Sequence, residues 1–337
     1  MMDVYHLLRK LTIRKTWNFL LLNLSYFLST VLKKHFLWGY PSGLAIEPSS
    51  LCNLSCPECP AGTNNLSREK GFMDIELFNK ILDETGSYIT FLTLYFQGEP
   101  FLNNRLFDMI KRAEGKYIYT VTSTNGHFLT TENARRIIES GLDRLIISVD
   151  GTTQEVYEKY RVGGDLKTVI SGIREVMKWK KKLHSSKPFV IISFLALRTN
   201  EHQIEDIKKL GRKAGVDKVV IKTAQVNDMS CWNDLVPAGK KLTRYKFIDG
   251  HYELKNKLAN RCRRVWTSPV ITFDGHIVPC CFDKNAEYPM GEITVTGFKN
   301  IWFGDCFRAF RKRILNERKT INICRNCTSG QAIFVRG

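Results

Sequence analysis

From residue 44 onward, short runs of β-branched and aromatic residues alternate with helix-patterned stretches. This alternation restricts the fold of the 337-residue chain more than any other feature. Residues 44–48, 91–96, 117–123, 144–149, 189–197 and 218–223 read as strands. Helical patterns lie between them, as at 75–84 and at 131–140, the latter stopped by Gly141. Strands joined through helices pair in parallel. Six such units are too few for a closed eight-stranded barrel, so the expected class is α/β with a partial (β/α)6 TIM-like barrel over residues 41–225. Its chemistry should lie at the C-terminal ends of the strands.

Directly after the first strand runs Cys52-Asn53-Leu54-Ser55-Cys56-Pro57-Glu58-Cys59. Three thiolates on one tight loop suit three irons of a 4Fe-4S cubane and leave the fourth iron open to a ligand. A structural zinc site wants four ligands, and no fourth Cys or His follows nearby. Ten cysteines in a chain of this length are too few for a secreted disulfide scaffold. Their clustering points to metal in a reducing, cytoplasmic compartment.

Further motifs stand in order at the ends of the later strands: Gln97-Gly98-Glu99-Pro100, Ser123-Thr124-Asn125-Gly126, Ile147-Ser148-Val149-Asp150-Gly151 and Tyr160-Arg161. With the CxxxCxxC loop they resemble the radical S-adenosylmethionine (SAM) superfamily, over roughly residues 40–225. The resemblance implies that Gly98 and Glu99 grip the methionyl amino group of SAM. It also implies that Asn125, Ser148 and Asp150 line the rest of the cofactor site and that Arg161 pairs with the SAM carboxylate. Charge agrees, since an ammonium suits Glu99 and a carboxylate suits Arg161. Glu58 departs from the family, many members of which carry an aromatic residue there beside adenine. Lys222, ending the sixth strand, either faces the cleft as an anion ligand or is solvated.

A second cysteine set follows a linker expected over 226–259: Cys262, Cys280, Cys324 and Cys327, within residues 260–337. Residues 270–278 read as a hairpin turning at Asp274-Gly275, which would bring Cys262 and Cys280 together. The set resembles the auxiliary-cluster region called SPASM, or its shorter single-cluster form, twitch. It implies one auxiliary 4Fe-4S cluster. The same four thiolates also suit zinc, and Cys281 is an alternative ligand to Cys280. Of the remaining thiols, Cys231 sits where it can either donate a hydrogen atom to substrate or simply pack.

The net charge of +18 is unevenly spread: residues 1–43 carry +5, 44–164 carry −4, 165–222 carry +8 and 260–337 carry +7. The front half of the barrel is thus not basic, which disfavours nucleic acid as partner. Lys178, Lys180, Lys181 and Lys182 read as a solvated helix end. Within the N-terminal segment 1–40, Trp17, Leu20, Leu21, Leu24, Phe27, Leu28 and Val31 recur at helical spacing between Arg14, Lys15 and Lys33, Lys34. The stretch is too short and too interrupted to span a bilayer. Residues 14–34 therefore form an amphipathic helix that lies on a membrane surface or packs on the protein's own body.

The expected function is reductive cleavage of SAM to a 5′-deoxyadenosyl radical that takes hydrogen from a small-molecule, sugar or lipid-linked substrate. An external reductant such as flavodoxin or ferredoxin supplies the electron. Two other readings stand beside it, a maturase of ribosomally made peptides and a non-catalytic iron-sulfur electron carrier.

Overall fold

The structure, a computed structural model, describes residues 2–230, 233–255 and 257–327. The chain begins with α1 (Met2–Leu8) and α2 (Ile13–Leu32), then enters the barrel: β1 (Gly43–Ile46), α3 (Ile75–Thr85), β2 (Phe91–Thr93), α4 (Leu106–Gly115), β3 (Tyr119–Thr124), α5 (Thr131–Glu139), β4 (Arg144–Ser148), α6 (Gln154–Glu158), α7 (Leu166–Lys182), β5 (Phe189–Ala196), α8 (Ile204–Ala214) and β6 (Lys218–Thr223). Strands β1 to β6 pair in sequence order, all parallel, for example Leu92 with Thr120 and Ile146 with Ile191. Helix starts are set locally: Asp74 and Asp165 accept amide protons of the first turns of α3 and α7. Apolar faces of these helices form one core with Leu44, Leu92, Leu145, Ile147 and Ile192 of the strands, while alternate residues of β2 and β6 are only partly buried. The basic run closes α7 with Lys178, Lys181 and Lys182 exposed as expected, but Lys180 is mostly covered and paired to Asp217 at 2.7 Å.

The span expected as a plain linker instead contains an antiparallel hairpin, β7 (Tyr245–Ile248) with β8 (His251–Leu254). Beyond it, β9 (Val270–Ile271) and β10 (His276–Val278) form the expected hairpin, with Gly275 at φ +90 in its turn. A short β11 (Gly291–Glu292) pairs with β10. The unexpected feature is that β9 also pairs in parallel with β1, Ala45 opposite Val270. The C-terminal region therefore continues the barrel sheet into nine strands, in the order β11-β10-β9-β1-β2-β3-β4-β5-β6.

The two N-terminal helices lie at the N-terminal ends of the strands. Asp3 pairs with Arg144 at the start of β4 and accepts the Tyr119 hydroxyl at the start of β3. In α2 the buried side chains are Lys15, Asn18, Leu22, Ser25 and Ser29. Lys15 Nζ donates to the Tyr117 and Lys116 carbonyls (2.5 and 3.1 Å), capping the end of α4. Asn18 exchanges two hydrogen bonds with the Tyr40 backbone, while Ser25 and Ser29 accept the amides of Trp38 and Phe36. The helix does pack on the body, but through its polar face, and the apolar stripe points outward. No helix among the described residues is long and apolar enough to cross a membrane.

Candidate active site

The cysteine loop leaves β1 and wraps its C-terminal end. The Cys59 amide donates to the Cys56 carbonyl at 3.1 Å, a tight turn that sets both thiols on one side. Cys52, Cys56 and Cys59 share one apolar cluster with Leu54, Tyr160 and Leu197. Burial pushes the Cys52 thiol up to about 11 and raises Cys56, which Arg161 partly offsets. Among the described residues no three His, Cys, Asp or Glu side chains are already gathered around a single-ion position. Cubane ligands bind different irons and stand further apart than ligands of one ion.

Gly98 lets the backbone after β2 pass beneath this loop. Its φ is +68, and a Cβ there would meet the Ser49 carbonyl at 2.5 Å and the Leu51 carbonyl at 2.6 Å. The Glu99 amide consequently reaches Leu51 O at 2.7 Å, placing the carboxylate under the cysteines. Glu99 is buried and accepts from Thr124 Oγ1 (2.8 Å), the Asn125 amide (2.8 Å) and the Phe101 amide (3.1 Å). All three donors are uncharged, and burial outweighs them, raising the carboxyl to about 7. A buried carboxylate held only by neutral donors fits an incoming ammonium such as that of SAM. Asn125 spans the cleft, its Nδ2 donating to Asn53 Oδ1 at 2.7 Å and lying 3.9 Å from Cys52 Sγ.

On the opposite wall Arg161 Nε donates to Asp150 Oδ2 at 2.6 Å, and its Nη1 lies 3.7 Å from Cys56 Sγ. The other Asp150 oxygen takes the Leu195 amide at 2.6 Å, so both oxygens of this buried carboxylate are turned into the protein. Asp150, expected from motif position as a cofactor-site residue, is therefore placed to orient Arg161. Asn200 locks the arrangement by donating to the Asp150 carbonyl at 2.9 Å. Ser148 ends β4, in register with Ser193 on β5. Lys222, near the end of β6, is half-buried, and desolvation lowers its pKa, with Asp150 opposing and Arg161 adding to the shift. Glu58 accepts the Asn227 amide (2.7 Å) and Asn233 Nδ2 (3.0 Å), tying the cysteine loop to the segment after β6. Cys231 lies outside the described residues.

In the C-terminal region Cys262, Cys280, Cys324 and Cys327 are all buried. Burial drives Cys280 well up, and the neighbouring thiols Cys281 and Cys262 add to it. Arg318, held by the Ala259 and Arg261 carbonyls, donates to Cys327 Sγ at 3.4 Å and supplies the cation that an anionic thiolate set needs. Cys281 is partly exposed and accepts from Arg264 Nη1 at 3.1 Å, facing a cavity of about 510 Å³ beside β1 and β2. The two cysteine regions are bridged by Glu47, which is fully buried. It pairs with Arg68 (2.6 Å) and accepts the amides of Gln97 (3.2 Å) and Phe273 (3.3 Å). Glu47, Arg68, Asn200 and Arg318 carry no motif of their own, whereas Thr124 stands inside the strand-end motif with Asn125.

A family model, the Radical SAM superfamily, matches residues 46–211, and a second, an iron-sulfur cluster-binding domain (SPASM), matches residues 262–328. The chain is a radical SAM enzyme. Its cofactors are accordingly SAM and a 4Fe-4S cluster, with auxiliary iron-sulfur binding in the SPASM domain. Among curated relatives, this radical SAM chain is 26% identical over 327 residues to a tungsten-containing aldehyde ferredoxin oxidoreductase cofactor-modifying protein of Pyrococcus furiosus, covering 85% of this chain and 86% of that one. It is 24% identical over 296 residues to an S-adenosyl-L-methionine-dependent 2-deoxy-scyllo-inosamine dehydrogenase of Niallia circulans, covering 86% and 93%. In fold it is similar to Streptococcus suis SuiB bound to S-adenosylmethionine, with a TM-score of 0.64, 15% identity and coverage of 90% and 75%. BtrN in complex with AdoMet and 2-DOIA matches with a TM-score of 0.52, 19% identity and coverage of 86% and 93%.

Proposed function

We propose that this enzyme cleaves SAM reductively at a cluster on Cys52, Cys56 and Cys59 and takes a hydrogen atom from a small molecule, sugar or lipid-linked compound. Cys262, Cys280, Cys324 and Cys327 would hold a second cluster, which would supply a one-electron relay. The observation that carries the reading is the opposed charge across the cysteine loop: buried Glu99 on one wall and the Asp150-oriented Arg161 on the other. Glu99 holds the ammonium of SAM, Arg161 its carboxylate, and Asn125 closes the floor beside Cys52. When bound, the reduced cluster supplies the electron that splits SAM into methionine and a 5′-deoxyadenosyl radical. Burial of Glu99, Tyr160 and Leu197 keeps water from the cleft. Cys231 is assigned as a hydrogen donor to substrate. The electron enters from a flavodoxin or ferredoxin.

A small-molecule substrate is supported by the two near full-length relatives, one named for cofactor modification and one for dehydrogenation of 2-deoxy-scyllo-inosamine. A peptide substrate rests on fold likeness alone, to SuiB bound to precursor peptide SuiA and to anSMEcpe with bound Cp18Cys peptide. Anaerobic reconstitution with iron counting and a dithionite-driven 5′-deoxyadenosine assay tests the reading. Wild type should hold about eight irons, and a Cys52→Ala/Cys56→Ala/Cys59→Ala variant about four, with deoxyadenosine formed only by wild type. Intact clusters without SAM cleavage would sink it in favour of an electron carrier.

A further inference from the structure

Helix α2 is amphipathic in the inverted sense. Its inward face, Lys15, Asn18, Ser25 and Ser29 with Leu22, is satisfied by backbone groups of residues 36–40 and 116–117. Its outward face carries Ile13, Trp17, Leu20, Leu24, Phe27 and Val31, between 48% and 92% exposed, at the three- and four-residue spacing of one continuous stripe. Thirteen of the twenty exposed large hydrophobic residues among those described fall within the first 38 positions. Such a concentration on one surface marks an interaction site rather than ordinary scatter.

The charge around the stripe selects the partner. Exposed Arg9, Arg14, Lys33 and Lys34 flank it, and Arg263 leans over Phe19 while donating to Asn23. The one carboxylate of the first 46 residues, Asp3, is turned inward to Arg144 and Tyr119. An apolar stripe rimmed by cations, with no exposed acid in its own segment, complements an anionic lipid surface. It opposes self-pairing, which would set cations against cations.

We infer that α2 is an in-plane anchor that seats the enzyme on an anionic phospholipid surface through its outward apolar stripe, with Trp17 at headgroup level. The same geometry orients the molecule. α1 and α2 bond to the N-terminal ends of β3 and β4 and to the end of α4, so the cysteine loop at the C-terminal strand ends faces away from the lipid. The surface holds the enzyme, and the cysteine loop opens to the aqueous side.

The test is co-sedimentation of the full-length reconstituted protein with sucrose-loaded vesicles of phosphatidylcholine, alone or mixed with phosphatidylglycerol. Wild type should pellet with the mixed vesicles and far less with the neutral ones. Leu20→Glu/Leu24→Glu/Phe27→Glu, whose positions are solvent-facing, should stay in the supernatant with unchanged iron content and melting temperature. Lys33→Glu/Lys34→Glu should weaken binding by at least about tenfold and reduce its salt dependence. A wild type that remains in the supernatant with both vesicles, or a triple variant that binds as wild type does, overturns the anchor. So does a dimer by light scattering that the triple variant dissolves, because a second copy then covers the stripe. None of these readouts depends on SAM chemistry.

Discussion

Asp150 Oδ2 stands 2.6 Å from Arg161 Nε, inside a pair whose carboxylate is almost wholly buried. Asp150 spends its second oxygen on the Leu195 amide, so β5 fixes the angle at which the guanidinium meets the cleft. Asp150→Asn should leave iron content intact and weaken SAM binding about tenfold, because the guanidinium loses the charged acceptor that fixes its angle. Calorimetric titration of SAM reads this. Unchanged affinity would show that Asp150 does not position Arg161.

Glu99 sets the pH dependence of cofactor binding. Burial raises its carboxyl from 4.5 to about 7, so the free enzyme holds a proton there that an unfolded chain has already lost. Without cofactor, stability therefore falls as pH rises from 4.5 towards 7. An ammonium partner wants the ionised form, so SAM should bind more tightly as pH rises through about 7, with proton release below it. Glu99→Gln should bind weakly and flatten this profile, measured by titration between pH 6 and 8.

Cys280 and Cys281 separate the ligand from its neighbour. Cys280 is buried among the other thiols, whereas Cys281 faces Arg264 and the cavity beside β1. Iron counting should find about four irons in Cys280→Ser and about eight in Cys281→Ser. The reverse result would move the ligand by one position.

Glu58 clasps the segment following β6 through Asn227 and Asn233. Glu58→Ala should keep its iron yet speed amide exchange over residues 226–236, since two bonds to a charged acceptor disappear. Exchange unchanged from wild type would mean that the segment is held by other contacts.

Gly98→Ala is expected to be the most damaging single-carbon change in the cleft. Its Cβ would stand 2.5 Å from the Ser49 carbonyl in a left-handed conformation, so the Glu99 turn must shift. Loss of SAM binding with a melting temperature lowered by several degrees is the expected result, and wild-type values for both would refute the close approach.

The parallel α/β plan, six strands, the CxxxCxxC loop and the strand-end motifs were legible in the chain because each depends on short spacings. Three thiols within eight residues, or alternation of strand and helix, need no knowledge of distant neighbours. Tertiary structure decided what distant segments do to one another. Nothing local announces that β9 pairs with β1, that Glu47 joins Arg68 to Phe273, or that Asp150 turns from the cleft towards Arg161. Helix α2 shows the division most sharply. Periodicity defines its two faces, but which face is buried depends on residues 36–40 and 116–117 offering unpaired backbone groups to Lys15, Asn18, Ser25 and Ser29. Those buried groups would cost more left unbonded than the stripe loses by facing outward.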